Sequence, residues 1–428
     1  MNKIDEYLEV SCDIKPKSRG LLSGFTISLK DCICLEGVES KSSSKILKGY
    51  IPVFNATVVE KILGSGGHII GKTKQDEFGF GSFGLNHGNP PKNPLNKEKV
   101  TGGSSSGAGG IAKVLKNHVA IAESTGGSIA NPAAFCEVVG LTPTYGRVSR
   151  FGLIDYATSL DKIGVIANDV LTCAKTLEVI SGFDEKDSTS SKLEVPKFSK
   201  IKPKKDFVVG IPKEYLSVDK DVKSEFDLFE QKLKKLGVKI KHISLQKNAK
   251  FSIPTYYLIA TSEASTNLAK LSGLRYGVVE NPKGLHFDEY FKKVRSQNFG
   301  LEAKRRIILG TFARMEGNKD DFYDKALSLR KLLYDEYLKQ FDEVDFIVHP
   351  TMPCYAPNIS EAKNLSPSTV YNMDLLTAGV NLAGLPHISL PFKSSNSMKE
   401  SIGVLISSKP FNEENLLSFS LAIEGDLK

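Results

Sequence analysis

Residues 206–245 read DFVVGIPKEYLSVDKDVKSEFDLFEQKLKKLGVKIKHISL, and this stretch indicates the fold class. Phe207 to Ile211 is a short apolar run that ends at Pro212, as buried strands often do. The middle part places four apolar residues on one helical face: Phe226, Phe229, Leu233 and Leu236. Gly237 suits the position just past a helix end, and the next residues alternate with lysines: Val238, Ile240 and His242. A strand, a helix and a strand in this order predict a crossover unit with parallel pairing.

Two further regions extend this architecture. Residues 320–341 have a helical pattern and lead into the apolar residues 346–348, a predicted strand that ends at Pro350. Residues 387–392 and 402–406 flank a serine-rich turn, which is typical of a hairpin. Together with the crossover unit, these elements predict an α/β protein with a mixed sheet.

The chain shows no internal repeat, which excludes solenoid and propeller folds, and its length alone would permit two or three domains. Residues 184–205 are rich in Ser, Lys and Pro, and we interpret them as a surface connection between subregions. The charged N-terminus has no apolar core of a signal peptide, and no apolar run is long enough to span a membrane. These features predict a cytoplasmic protein.

The charged and sulfur-containing residues exclude some classes of site. The formal net charge is +8 over 428 residues, a modest excess that tolerates a nucleic-acid partner without arguing for one. The six cysteines contain no C-x-x-C pair, which argues against structural zinc and against a disulfide framework. The sequence therefore predicts free thiols and no metal site.

Residues 66–73, GGHIIGKT, match the G-x-x-x-x-G-K-[ST] pattern of a phosphate-binding loop. Such a loop must follow a buried strand and open a helix. Here residues 58–63 have the spacing of an amphipathic helix, and Ile69 and Ile70 inside the motif favour a strand. We therefore predict no nucleotide site at this position.

Two Gly/Ser segments carry the candidate chemistry: GGSSSGAGG at residues 102–110 and STGGSIANP at residues 124–132. On composition alone, a flexible linker and a tight turn are the simpler interpretations. The alternative is acyl transfer by a serine nucleophile. In that case the consecutive N–H groups of Thr125, Gly126, Gly127 and Ser128 could surround one oxyanion. No histidine has a spacing that identifies it as the base, so a lysine is the plausible one.

The two segments resemble those of the amidase signature family. The resemblance implies a single large α/β domain over residues 1–428, with a mixed, twisted sheet covered by helices on both sides. It also implies Ser128 as nucleophile, Ser104 as the bridging serine and Lys30, in ISLKD, as the base. In the family the peptide bond before the bridging serine is cis, here Gly103–Ser104.

Other stretches are similar to the A subunits of tRNA-dependent amidotransferases within that family. They include residues 140–150 (GLTPTYGRVSR) and 304–312 (KRRIILGTF). The resemblance implies that Arg306 binds the α-carboxylate of glutamine, that Asp374 binds its α-ammonium group and that Tyr256 lines the pocket. A planar guanidinium suits a carboxylate because the two can form paired hydrogen bonds.

The same resemblance implies partners for this chain. Ammonia from glutamine would pass to a B subunit, which uses ATP and Mg²⁺ to amidate mischarged Glu-tRNA(Gln) or Asp-tRNA(Asn). A small C subunit would hold the A and B subunits together. The chain itself is expected to need no cofactor.

The sequence departs from the family pattern at four positions: Ser106, Ala108, Ser124 and Ala130. The family usually has glycine and serine at the first two, and aspartate and arginine at the last two. We interpret the last two departures as the paired loss of one salt bridge. Fewer residues than usual precede Lys30, which bears on the contacts with the C subunit. Two alternatives remain open at this point: a free-standing amidase for another amide, and a scaffold subunit with little catalytic activity.

Overall fold

The computed structural model describes residues 4–393 and 401–427 of the chain. Within these residues, eleven strands form one sheet: β1 (Leu8–Ile14), β2 (Thr26–Lys30), β3 (His68–Thr73), β4 (His118–Ser124), β5 (Val139–Thr142), β6 (Lys162–Ala167), β7 (Val208–Pro212), β8 (Lys239–Ile243), β9 (Phe346–Pro350), β10 (His387–Phe392) and β11 (Ile402–Ser408). Their order across the sheet is β1-β3-β2-β4-β6-β5-β10-β11-β9-β7-β8.

The described residues also form thirteen α-helices: α1 (Thr57–Leu63), α2 (Ser106–Val114), α3 (Ala130–Phe135), α4 (Val170–Ile180), α5 (Lys220–Lys235), α6 (Gln246–Asn267), α7 (Phe287–Asn298), α8 (Leu301–Arg314), α9 (Lys325–Phe341), α10 (Ile359–Lys363), α11 (Pro367–Asn372), α12 (Leu375–Leu382) and α13 (Glu413–Leu427).

The sheet is mixed, as the sequence predicts. Strand β2 runs parallel to β3 and β4, and β7 runs parallel to β8 and β9, whereas the remaining neighbours are antiparallel. The predicted crossover unit is confirmed, because β7 and β8 pair in parallel and α5 connects them. The two strands of the predicted hairpin, β10 and β11, pair antiparallel. Most of its serine-rich turn, residues 394–400, lies outside the described residues.

Helices cover both faces of the sheet. Alternate residues of β4 point to opposite faces, because side chains of a strand alternate with a period of two. Ala120 and Ala122 pack in one apolar cluster with Ile111 of α2. Val119 and Ile121 pack in another cluster, which includes Leu177 of α4. The central strands are therefore buried on both sides, as the family resemblance implies.

The local structure around the Gly/Ser segments differs in part from the prediction. A flexible linker is the simpler interpretation of residues 102–110, whereas helix α2 already begins at Ser106. Its glycines let this helix pack closely on its neighbours, since a Cβ atom on Gly110 would lie 2.2 Å from the Tyr7 ring. Residues 66–73 contain a turn followed by β3, so the motif has a strand where a phosphate-binding loop would open a helix.

Two further segments show more detail than the sequence pattern predicts. The helix predicted over residues 320–341 begins with a π-helical turn, Asp320–Asp324, before α9. Residues 184–205 contain one 3₁₀ turn, Phe198–Lys200, and are otherwise irregular, although Phe198 is buried. Their role as a boundary between subregions stays a prediction.

Candidate active site

The candidate site lies at one edge of the sheet, where two parallel strands end. Strand β2 ends at Lys30 and the neighbouring strand β4 ends at Ser124. Parallel strands bring their carboxyl ends to the same edge of a sheet. Ser104 lies two residues before α2, and Ser128 lies two residues before α3. The topology therefore collects segments that are up to about one hundred residues apart in the chain.

Lys30 is fully buried and its Nζ atom has three hydrogen-bond partners. Nζ lies 2.7 Å from Oγ of Ser104, 3.0 Å from the backbone oxygen of Glu123 and 2.8 Å from Oε2 of the same glutamate. The Gly103–Ser104 peptide bond is cis. The structure thus brings Lys30 and Ser104 into direct contact through a buried hydrogen bond.

Ser128 lies in a turn in which the carbonyl groups of Gly126, Gly127 and Ser128 all accept hydrogen bonds. The Gly126 oxygen accepts from Oγ of Ser124 at 2.9 Å and from Nδ2 of Asn381. The Gly127 oxygen accepts from the backbone N–H of Asn131 at 2.7 Å. The Ser128 oxygen accepts from the N–H of Ser105, the residue after the bridging serine, at 3.3 Å.

The donor side of the same turn is different. Within residues 4–393 and 401–427, the backbone N–H groups of Gly126, Gly127 and Ser128 donate to no backbone carbonyl oxygen. These groups belong to neither a helix nor a strand. Ser128 is 6% exposed, and its hydroxyl forms no direct hydrogen bond with Ser104 among the described contacts. The turn therefore offers backbone N–H donors next to the Ser128 hydroxyl.

Arg306 of α8 is buried in an aromatic environment. Its Nε atom donates to Oε1 of Glu302 at 2.8 Å, and Nη1 donates to the Tyr156 hydroxyl at 2.5 Å. Its guanidinium group lies 5.0–5.5 Å from the centroids of four rings: Phe80, Tyr156, Tyr257 and Tyr371. A guanidinium group stacks well on aromatic faces, so the four rings stabilise the buried charge together with the Glu302 carboxylate.

Asp374 precedes α12 and accepts three hydrogen bonds. The donors are Oγ of Ser82 at 2.9 Å, Nδ2 of Asn131 at 2.9 Å and the Tyr257 hydroxyl at 3.0 Å. Burial raises the pKa of Asp374 above its ordinary value, and these three donors act in the opposite direction. Because the backbone N–H of Asn131 donates to the Gly127 oxygen, Asn131 links Asp374 to the turn that contains Ser128.

Tyr256, the pocket tyrosine implied by the resemblance, is buried in α6 against the same turn. A Cβ atom on Gly126 would lie 2.9 Å from the Tyr256 hydroxyl, so only glycine leaves room for this contact. The ring of the adjacent Tyr257 stacks on Tyr371 at a centroid distance of 4.0 Å. Beside these rings a cavity of about 310 Å³ is lined by Ser82 and Arg306, among other residues.

The four departures from the family pattern are all buried. The Ser124 hydroxyl holds the Gly126 oxygen, and Ala130 packs in an apolar cluster with Leu376 and Val380 of α12. Ser106 begins α2, and Ala108 packs in the apolar cluster that contains Ile111 and Ala120. The present residues are therefore accommodated without a buried charge, and the paired loss of a salt bridge stays a prediction.

Several residues that contact the predicted site residues were not identified from the sequence, and three of them illustrate why. Glu123 contacts Lys30, while Ser82 and Tyr257 contact Asp374. A glutamate at the end of an otherwise apolar strand, HVAIAES, is a signal that could have identified Glu123. Nothing in the local sequence relates Ser82 to residue 374, because 292 positions separate them.

The described residues provide neither a metal cluster nor a membrane span. Over residues 4–393 and 401–427, no three His, Cys, Asp or Glu side chains are grouped so as to hold a metal ion. In the same part of the chain, none of the helices combines the length and the apolar character needed to cross a membrane.

Known proteins resemble this chain over nearly its whole length. Residues 2–417 match the amidase family. The chain is 42% identical to the A subunit of glutamyl-tRNA(Gln) amidotransferase from Koribacter versatilis over 95% of this chain and 85% of that protein. The corresponding protein of Heliobacterium modesticaldum is 40% identical over 98% of this chain and 88% of its own length.

Solved structures give the same result. The crystal structure of the glutamyl-tRNA(Gln) amidotransferase A subunit from Thermotoga maritima superposes with a TM-score of 0.83 at 33% identity. The match covers 98% of this chain and 87% of that one. A 6-aminohexanoate cyclic dimer hydrolase shares the fold, with a TM-score of 0.76 at 22% identity over 95% and 85% of the two chains. With this site, this sheet and these relatives, the chain belongs to the amidase family.

Proposed function

We propose that this chain hydrolyses the side-chain amide of glutamine and releases ammonia, as the A subunit of a tRNA-dependent amidotransferase. The observation that carries the proposal is the buried hydrogen bond between Lys30 and Ser104, next to the turn of Ser128. The similarity to proteins named as A subunits of glutamyl-tRNA(Gln) amidotransferase, over 95% of the chain, supports glutamine as the substrate.

In the first half of the reaction, Oγ of Ser128 attacks the amide carbon of glutamine. Its proton passes to Ser104, whose own hydroxyl proton moves to an uncharged Lys30 amine. The N–H groups of residues 125–128 stabilise the developing oxyanion. The C–N bond then breaks, and the leaving nitrogen takes the proton back from Lys30 through Ser104 and departs as ammonia.

In the second half, water attacks the glutamyl ester on Ser128. The water proton moves through Ser104 to Lys30, the ester C–O bond breaks, and the proton returns to the Ser128 oxygen. The products are glutamate, ammonia and the regenerated enzyme. The proton balance closes without a cofactor in this chain.

Recognition of glutamine would use both of its backbone charges. Arg306 supplies a guanidinium group with one nitrogen outside its two hydrogen bonds to Glu302 and Tyr156, and this nitrogen can bind the α-carboxylate. The Asp374 carboxylate would bind the α-ammonium group. Tyr256, which packs against the turn of Ser128, would line the pocket. Simple amides lack both charges, so the pair would favour glutamine over them.

The remaining parts of the proposal concern partners. A B subunit would use ATP and Mg²⁺ to activate mischarged Glu-tRNA(Gln) or Asp-tRNA(Asn) and would receive the ammonia. A C subunit would stabilise the assembly. These tRNA substrates would place the complex in the cytoplasm.

The test is to express this chain together with B and C subunits from the same genome and to measure glutamate formation from glutamine. Ser128→Ala should copurify with both partners and should lower kcat by a factor of roughly 1,000 or more, because the nucleophile is lost. Unchanged glutaminase activity in the variant would contradict the proposal and favour a scaffold subunit. Robust hydrolysis of aryl or fatty amides without partners, and no glutaminase activity with them, would favour a free-standing amidase.

A further inference from the structure

Among the residues that the structure describes, Glu123 is the one neighbour that contacts Lys30 with two of its own oxygen atoms. Nζ of Lys30 lies 3.0 Å from the Glu123 backbone oxygen and 2.8 Å from Oε2 of its carboxylate. Both side chains are buried, with 0% and 4% of their surfaces exposed. The third contact of Nζ is Ser104, at 2.7 Å.

The number of N–H groups on the Lys30 amine determines which way its lone pair points. An uncharged amine has two N–H groups and one lone pair, whereas an ammonium group has three N–H groups. If the two oxygens of Glu123 accept both N–H groups of the amine, the lone pair faces the Ser104 hydroxyl. That is the orientation in which Lys30 can accept a proton from Ser104.

Glu123 is itself held in place by a second layer of contacts. Oγ1 of Thr125 lies 2.8 Å from Oε1 of Glu123 and 2.8 Å from Oδ1 of Asp161. A threonine hydroxyl has a single hydrogen, so it can donate to only one of two carboxyl groups. If Asp161 is protonated, it can donate to the Thr125 hydroxyl, and that hydroxyl can donate to Glu123. Each of these contacts is then a hydrogen bond with one donor and one acceptor.

The environment of Asp161 supports this assignment of protons. Burial, and then the nearby negative charge of Glu123, raise the pKa of the Asp161 carboxyl well above its ordinary value. Asp161 is also fixed by the N–H groups of Tyr156 and Ala157, at 2.9–3.1 Å. The chain of contacts therefore runs from the loop of residues 156–161 through Thr125 and Glu123 to the amine of Lys30.

We propose that Glu123 is a positioning residue that directs the lone pair of Lys30 toward Ser104 and balances the charge that Lys30 gains when it accepts the proton. This inference rests on the proposed function, because it needs Lys30 to act as the base. It adds a residue at the end of β4 to the three that the resemblance implies.

The experiment compares two substitutions in the full chain, copurified with its partner subunits. Glu123→Leu removes both the acceptor and the charge of the side chain, and we expect kcat for glutamine hydrolysis to fall about 100-fold. Glu123→Gln keeps one oxygen acceptor, so kcat should recover to within about tenfold of the wild type. KM for glutamine should change less than about threefold in both, since Glu123 orients the base rather than the substrate.

A matched control separates positioning from stability. Glu413 is also buried, and its carboxylate pairs with Arg147 at 3.2 Å on another part of the fold. Glu413→Gln should lower the midpoint of thermal unfolding and leave kcat within about twofold, since it is remote from Lys30. The three variants are compared at a temperature at which all of them are folded by circular dichroism.

The outcomes distinguish this inference from the proposed function. If Ser128→Ala abolishes glutaminase activity but Glu123→Leu has the kcat of the wild type, only the role of Glu123 is wrong. An equal loss in the Gln and Leu variants, or a loss that appears in KM alone, would also contradict positioning. If Ser128→Ala keeps its activity, the proposed function fails and the Glu123 inference fails with it.

Should Glu123→Leu fail to fold, Thr125→Val provides a second route. It leaves the Glu123 carboxylate in place and removes the hydroxyl that holds it. We expect an intermediate loss of kcat, about tenfold, with an unchanged KM. A wild-type kcat in this variant would contradict the role of Thr125 in holding the Glu123 carboxylate against Lys30.

Discussion

At position 306, an arginine and not merely a positive charge is required by its surroundings. The guanidinium group donates to Glu302 and to Tyr156 in two directions while it lies among four aromatic rings. A lysine would keep the charge but lose the planar fork that can serve protein and substrate together. This geometry explains why a residue whose type could fit any surface helix is buried here.

The corresponding prediction concerns glutamine affinity. Arg306→Lys should raise KM for glutamine about tenfold, equivalent to about 1.4 kcal/mol, and change kcat much less. The measurement is steady-state glutamate formation over a range of glutamine concentrations. Arg305→Lys is the matched control, since Arg305 also pairs with Glu302 but has a side chain that is 34% exposed. Equal effects of the two substitutions would argue against Arg306 as a substrate ligand.

At the scale of elements, the contact between α6 and α8 sets the position of Arg306. Gly310 follows Arg306 by one helical turn and abuts the backbone of α6. A Cβ atom there would lie 1.9 Å from the Thr261 oxygen, so the two helices approach closely only because residue 310 is glycine. A backbone oxygen cannot move aside as a side-chain end can.

Gly310→Ala should therefore force the two helices apart. We expect a loss of about 1–3 kcal/mol in the free energy of unfolding and a higher KM for glutamine, because Arg306 moves with α8. Gly425 in α13 is the matched control, since a Cβ atom there meets nothing within 4 Å. Gly425→Ala should leave stability unchanged or raise it by up to about 1 kcal/mol, as measured by urea unfolding. Similar losses in both variants would contradict the close contact.

At the scale of the whole molecule, buried neutral histidines connect stability to pH. His118 begins β4 and lies between two hydroxyl groups of β2, at 2.8 Å from Oγ1 of Thr26 and 2.9 Å from Oγ of Ser28. Burial lowers the pKa of His118 from 6.5 to about 3. Below pH 6.5 His118 binds a proton in the unfolded chain but stays neutral in the folded protein. The free energy of unfolding therefore decreases as the pH falls from 6.5 toward 3.

A substitution at His118 should change this pH dependence. At pH 5 the cost is about 1.5 pKa units, or roughly 2 kcal/mol. His118→Gln should therefore narrow the difference in unfolding free energy between about pH 8 and pH 5 by roughly that amount. Urea unfolding at the two pH values measures it, and the variant at the higher pH reports the packing change alone. An unchanged pH dependence would show that folding does not lower the pKa of His118.

Local elements followed from the sequence because their causes are local. The apolar run before Pro212, the helical spacing from Phe226 to Leu236 and Gly237 identified β7, α5 and β8. The family motifs further identified Lys30 and Ser104, and the structure joins these two by a hydrogen bond. The role of each in catalysis rests on the experiments above.

The tertiary structure decided what no local pattern contains. Periodicity identifies strands but not their neighbours, and the placement of β2 between β3 and β4 brings Lys30 beside Glu123. Likewise, only the packed fold brings Ser82 to Asp374. The physical reason is that a hydrogen bond depends on distances of about 3 Å in space, whereas the sequence specifies only distances along the chain.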